Sequence, residues 1–331
     1  FLGEWSPVDT GLESLRSPSV VALDASGNVY IAGHTSNSIQ VFGTSGAFLR
    51  TWGSLGSAEG ALRSPRDATV GAEGNIYIAD SGNHRVQVFT QEGELLLGWG
   101  IEGSEDSQFR FPSGIAADKD GNIYVTDTLN NRVQVFTSTG ELLRTWGAGG
   151  ADEGQFQGPW GIGIDHVGNV YVVDSENDRM QVFDSKGKFL RKWGSTGTGN
   201  GKFQLPTAIA IDDTGNVYIT DSGNDRIQVF DVEGTYLRKW GSTGDGPSQF
   251  NFPSGLSINS QGQIYVSDGF NNRVQVFTSE GALLGGQIGS EGRGFGKFRF
   301  PWGITIDASN NVYVVDGLNH RVQVFGPVHT P

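Results

Sequence analysis

Six aspartates stand five residues ahead of an arginine along this 331-residue chain: Asp80 and Arg85, Asp127 and Arg132, Asp174 and Arg179, Asp221 and Arg226, Asp268 and Arg273, Asp316 and Arg321. Carboxylates in such number invite the idea of a ring of acidic ligands, but six equivalent copies cannot all meet one substrate. A carboxylate–guanidinium pair flanking a turn, with Asn83 and its counterparts closing the turn, accounts for the repetition as a hairpin pin. The run Asp118-Lys119-Asp120-Gly121-Asn122 has the opening of a calcium loop but lacks the downstream bidentate glutamate, and reads as turn chemistry. Five histidines are present, His34, His84, His166, His320 and His329, and cysteine is absent. Without cysteine there are no disulfides, thiolate metal sites or cysteine nucleophiles. No Gly-x-Ser-x-Gly elbow, P-loop or His-Glu-x-x-His occurs, so the residues announce no catalytic set, no metal site and no cofactor.

The elements that must position these residues follow from a repeat. One tyrosine recurs at Tyr30, Tyr77, Tyr124, Tyr171, Tyr218, Tyr265 and Tyr313, in steps of 47 and finally 48. A proline keeps the same rhythm at Pro18, Pro65, Pro112, Pro159, Pro206, Pro253 and Pro301. The repeats consume residues 1–331, which reads as a single domain. Each repeat holds four short strands; in the third they are Gly114-Ile115-Ala116-Ala117-Asp118, Asn122-Ile123-Tyr124-Val125-Thr126, Arg132-Val133-Gln134-Val135-Phe136 and Glu141-Leu142-Leu143-Arg144-Thr145-Trp146. Short strands at this spacing, punctuated by Gly and Asn and free of helical period, predict an all-β propeller of four-stranded antiparallel blades. Phe1-Leu2-Gly3-Glu4-Trp5 matches a fourth strand, and the last repeat stops after its third, Arg321-Val322-Gln323-Val324-Phe325. The predicted fold is therefore a closed seven-bladed propeller whose N-terminal strand completes the last blade and removes a free edge.

Where repeated residues hold a fold, function falls where one repeat departs from its siblings. The residue after each proline is Ser19, Arg66, Ser113, Trp160, Thr207, Ser254 or Trp302, at the start of the innermost strand and so around the channel mouth. The next position carries Asp67, against Val20, Ala208 and glycines elsewhere. Arg66, Asp67, Trp160 and Trp302 thus form the candidate ligand site; the competing reading is that they plug the channel. Two residues before the proline, Arg16, Arg63, Arg110 and Arg299 make a basic arc fit to attract an anionic group, unless Glu13, Glu59 and Glu105 neutralise it. The tryptophans Trp5, Trp52, Trp99, Trp146, Trp193 and Trp240 read as packing of the outer strand.

The strings Asn83-His84-Arg85-Val86-Gln87-Val88-Phe89 and Gly154-Gln155-Phe156-x-x-Pro159-x-Gly161-Ile162 resemble the NHL repeat, and the resemblance runs the length of the chain. Each Trp is followed by Gly or, once, Ser, which separates the sequence from WD40 propellers. Known members mostly have six blades, so seven is a departure. The resemblance implies functions as different as protein binding, RNA binding, bacterial surface sensing and, in an amidating lyase, zinc held by histidines. His34, His84 and His320 share one loop type, but His84 and His320 are two blades apart and roughly 20 Å from each other, judged from strand spacing. Zinc requires nitrogens at about 2.0–2.1 Å, so these read as turn residues.

Net charge is −13, which disfavours nucleic acid, and the longest apolar runs are too short for a membrane span. The chain opens on Phe1, with no basic start leading into an apolar stretch, and the expectation is that an upstream segment was removed or left out. A thiol-free, acidic chain suits an extracellular or cell-surface setting, the periplasm included. The expectation is a monomeric, non-catalytic binding propeller for a protein or saccharide ligand with an anionic group, secreted or surface-displayed in a bacterium. The alternatives are a metal-dependent lyase or hydrolase at the central channel, and RNA binding.

Overall fold

The computed structural model describes residues 3–5, 18–44, 47–285 and 287–327. They form seven antiparallel sheets, each starting at a repeat's proline region and running outward. The first sheet comprises Pro18–Leu23, Val29–Gly33, Ser38–Phe42 and Phe48–Trp52. In the third, the strands are Pro112–Ala117, Ile123–Asp127, Arg132–Phe136 and Leu142–Trp146, so the inner strand begins at the proline itself, two residues before the predicted start. First strands of successive blades lie against one another and ring the axis. In the last sheet Gly3–Trp5 pairs with Arg321–Phe325, Glu4 opposite Gln323, outside the strands Val312–Asp316 and Pro301–Ile306.

The middle strands show why no hydrophobic alternation marks them. Ile76–Asp80 and its equivalents are buried at every position, because neighbouring blades cover both faces. The fourth strands do alternate, since only one face meets a neighbour. Between blades 4 and 5, Tyr171, Val173, Met180 and Val182 pack on Val217, Ile219 and Phe230. The outer tryptophans reach across to the next blade: Trp146 lies 5.6 Å from Phe183, ring centroid to centroid. It also rests on Gly187, whose φ of +82° makes the hairpin turn and where a Cβ would come within 2.6 Å of the indole. A side chain there meets both the steric cost of a left-handed backbone and a clash.

One blade departs from the predicted pattern. The sixth sheet has three strands, Pro253–Ile258, Ile264–Asp268 and Arg273–Phe277, and its expected fourth strand is reduced to two bridges, Phe277 with Leu283 and Val274 with Ile288. The reason is in the sequence: Leu284-Gly285-Gly286-Gln287 puts two adjacent glycines where blades 1, 3, 4 and 5 have Leu-Arg-Thr or Leu-Arg-Lys and blade 2 has Leu96-Leu97-Gly98, and one residue is inserted. Glycine pairs weaken a strand and the insertion breaks its register.

The aspartate–arginine pairs are wider clamps than a hairpin pin. Asp174 is fully buried and its Oδ2 accepts from Arg179 Nε at 2.6 Å. Arg179 also donates through its other nitrogens to the Ala151, Asp152 and Gln155 carbonyls of the preceding interblade loop. The other carboxylate oxygen accepts the Gln157 amide at 2.7 Å. The same knot recurs at the other five pairs. Blade 1 lacks it, with Gly33 opposite Ser38 in the register.

Candidate functional site at the channel mouth

Each of the six described interblade loops delivers its residues to the mouth by one device. The residue before the proline has a left-handed backbone: Ser64, Phe111, Leu205, Phe252 and Phe300 lie at φ between 48° and 61°, and Gly158 at 58°. Non-glycine residues occupy that region at a cost and need fixing there. A side chain from the previous blade supplies the fixing. His84 Nδ1 accepts the Phe111 amide at 3.1 Å, Asp225 the Phe252 amide at 2.8 Å, and Asn272 the Phe300 amide at 2.9 Å. These acceptors are themselves left-handed, His84 at φ 57°, Asp225 at φ 52° and Asn272 at φ 56°. His84 thereby serves the turn, its Nδ1 engaged by the Phe111 amide.

The four predicted residues come together. Arg66, Asp67, Trp160 and Trp302 all line an axial cavity of about 240 Å³, together with Ser113, Thr207 and Ser254. A second cavity of about 220 Å³ opens above it and shares Arg66, Ser113, Trp160 and Trp302, adding Pro18, His34, Phe300 and Leu318. Arg66 is pressed into aromatic surroundings, its guanidinium carbon 4.8 Å from the Phe111 ring and 4.9 Å from Trp160. Its Nε is buried without a hydrogen-bond partner, and desolvation lowers its pKa. His34 donates toward the Pro65 carbonyl; burial and then the Arg66 charge hold its pKa below the usual value, so it is neutral at neutral pH.

Asp67 serves structure as well as lining the cavity. Its Oδ2 accepts the Ile115 amide of the next blade at 2.9 Å and its Oδ1 accepts its own neighbour's amide, Ala68, at 2.9 Å. Some of its surface meets the channel, but protein atoms surround it, and desolvation pushes its pKa up to about 7 against those two bonds. The glycines at its equivalent positions answer to packing: Gly161 sits where a Cβ would come within 3.0 Å of the Thr207 carbonyl.

Sequence reasoning missed the rest of the mouth. Trp302 stacks on Phe300 at 5.6 Å and on Phe252 at 6.3 Å, both at 29°. Phe270, 58% exposed, caps this group, 5.0 Å from Phe300 and 5.7 Å from Phe252. The signal lay in the column before each proline, where Phe111, Phe252 and Phe300 alternate with Ser, Gly and Leu. Of the basic arc, Arg16 lies outside the described residues, as do Glu13 and His329. Arg63 and Arg110 are exposed and Arg299 half-buried, all at the rim. None of the three is ion-paired with a described residue, so Glu59 and Glu105 do not neutralise them by contact. Among the described residues, no three of His, Cys, Asp and Glu converge as a metal ion would require.

A search of curated protein sequences finds no match. Among solved structures the chain is similar to a streptogramin B lyase, with a TM-score of 0.75 at 14% identity over 97% of this chain and 95% of that one. It is also similar to a catalytically inactive virginiamycin B lyase from Staphylococcus aureus with quinupristin, at 0.74 and 13% over 97% of each. A third is the Kuenenia stuttgartiensis hydrazine synthase, at 0.72 and 13% over 97% of this chain and 99% of that one. Identities this low speak for the fold alone. The NHL repeat model matches residues 62–89, 109–136, 156–183, 203–230, 250–277 and 298–325. Its six matches are the six repeats that carry the aspartate–arginine clamp, and blade 1, which lacks it, goes unmatched; with half the chain covered, this protein belongs to the NHL-repeat family.

Proposed function

We propose that this propeller is a non-catalytic binding module that takes a protein ligand at the channel mouth. The observation that supports it best is the upper cavity: an aromatic and aliphatic wall of Trp160, Phe300, Trp302 and Leu318 around one guanidinium. A saccharide presents many hydroxyls, and each one buried without a partner costs about 1–3 kcal/mol. That wall offers few partners, whereas apolar side chains need none. Trp302 also spends its stacking inside the protein, on Phe300 and Phe252.

A metal-dependent lyase or hydrolase would need donors near the axis. Among the described residues the only carboxylate lining the axial cavity is Asp67, both of whose oxygens already accept backbone amides, and no histidine lines it. RNA is opposed by the net charge of −13. The family hosts several activities, so function is argued from the site. We place the protein outside the cell, as a monomer, on the strength of its thiol-free and acidic composition.

Selection of a phage-displayed random-peptide library on the immobilised propeller tests this reading, with a glycan array alongside. Enriched peptides that bind the protein and not its Trp160→Ala, Trp302→Ala variant support it, provided the variant still unfolds cooperatively. Glycan binding without enriched peptides, or peptides indifferent to the double substitution, overturns it.

A further inference from the structure

The mouth pairs an apolar cavity with a cation whose hydrogen-bonding capacity is unfilled. Arg66 is half-buried, held between Phe111 and Trp160, which orients the guanidinium and takes part of its water away. Its buried Nε has no partner, a costly state, and a charge-assisted bond from the same guanidinium to an acceptor on a ligand would offset part of that cost. Arg66 borders both cavities, so such an acceptor can lie beside Arg66 while the body it is attached to occupies the space between Trp160, Trp302, Phe300 and Leu318.

The size and charge of the site narrow the ligand. Either cavity is smaller than the roughly 300–1,000 Å³ of ordinary ligand pockets, so the occupant is one ring or one side chain. Burial and the Arg66 charge favour the neutral form of His34, which leaves Arg66 as the single cation lining the two cavities among the described residues. One guanidinium matches one negative charge. A dianion such as a phosphate monoester would carry an unmatched charge into a low-dielectric site on a protein of net charge −13.

We infer that the mouth recognises an apolar monocarboxylate: a ring or branched apolar group seated in the upper cavity, with its carboxylate on Arg66. This rests on the reading of the mouth as a binding site and specifies its ligand. Two sources supply that chemistry, a free aromatic or branched carboxylic acid and the C-terminal residue of a polypeptide.

Calorimetry with 3-phenylpropionate, 3-phenylpropanol and phenyl phosphate, at neutral pH, tests the inference on the whole chain. The carboxylate is expected to bind about tenfold or more tightly than the alcohol and than the phosphate. In Arg66→Met the preference for acid over alcohol disappears while the alcohol binds as before; in Arg66→Lys part of the preference survives, since the charge remains and the fork is lost. A second arm compares a decapeptide ending in Phe as free acid and as amide. Tighter binding of the free-acid peptide than of 3-phenylpropionate assigns a chain terminus, and the reverse order a small acid. Equal binding of acid and alcohol, or acid binding unchanged in Arg66→Met, overturns the carboxylate while leaving the mouth as a binding site. Failure of every probe to bind overturns the inference, and the peptide selection then decides the broader reading by itself.

Discussion

At the scale of single residues, the mouth is governed by two neighbours in sequence whose ionisation is set by the same scarcity of water. Arg66 is destabilised as a cation and Asp67 as an anion, yet no ion pair joins them, and Asp67 spends its oxygens on the Ile115 and Ala68 amides. With a folded pKa near 7 against an ordinary 3.8, Asp67 keeps a proton that the unfolded chain releases. Its contribution to stability is therefore greatest below about pH 4 and is lost as pH rises through 7. Asp67→Asn should remove that loss, so that stability falls less from pH 4 to pH 8 than in the native protein by about 1–3 kcal/mol after discount for channel water, beside a pH-independent cost for the amide that then faces Nδ2. Paired denaturant titrations at pH 4 and pH 8 check this; an equal pH dependence in protein and variant contradicts it. Burial also raises the pKa of Asp127, Asp221, Asp268 and Asp316, which is why the comparison with the variant, and not the slope alone, carries the result. Arg66, Asp67, Trp160 and Trp302 were legible in the sequence because each breaks a column of small residues. Phe111, Phe252 and Phe300 were not, because their place depends on a left-handed backbone held from the previous blade, a contact across 27 or 28 residues that no local pattern records.

At the scale of elements, the repeat was legible because its turn residues recur at fixed spacing, and turn chemistry is local. The breakdown of the sixth blade's outer strand was written there too, in Gly285 and Gly286, but a strand count that follows position alone passes over it. The aspartate–arginine spacing gave the pair and not its reach, since the arginine's remaining bonds go to carbonyls of an interblade loop 24 to 28 residues back. That reach determines what a substitution does. Arg179→Ala leaves Asp174 buried without its partner and frees three carbonyls, and should cost about 3–5 kcal/mol. The loop it releases carries Gln157 to Trp160, so the damage falls on the mouth as well as on blade 4. Thermal denaturation should show a lower midpoint in a single transition, and ligand binding should recover on cooling. A fully stable variant that has lost its ligand would instead make the arginine part of the binding site.

At the scale of the whole molecule, two properties follow from arranging seven blades in a ring. The first is a field. Arg63, Arg110 and Arg299 stand on one side of the rim of an otherwise acidic protein, free of ion pairs with described residues, and should steer an anionic partner toward the mouth. Reversing them to Glu should slow association about tenfold at low salt and flatten its salt dependence, with dissociation little changed, because fields at the surface are screened over about 8 Å at physiological ionic strength. Stopped-flow association rates across a salt series, using the free-acid peptide, read this directly.

The second property is the seam. Gly3–Trp5 pairs with Arg321–Phe325, joining segments more than 300 residues apart in sequence, and the pairing covers the outer side of a strand that is otherwise the edge of its sheet. An uncovered edge presents unpaired amides and carbonyls to any other chain. Blade 6 shows how much loss an outer position tolerates, since two bridges there stand in for a strand, but those bridges still cover its third strand at Val274 and Phe277. Removing residues 1–5 leaves blade 7 with no such cover. The shortened chain should therefore melt at a lower temperature and associate in proportion to its concentration, as sedimentation velocity would show. Adding the peptide Phe-Leu-Gly-Glu-Trp in trans should partly reverse both effects by restoring the pairing of Gly3 with Val324 and Trp5 with Val322. A truncated protein that stays monomeric with an unchanged midpoint would mean that the ring is held by the faces between its blades, and that the strand at the seam adds nothing to them.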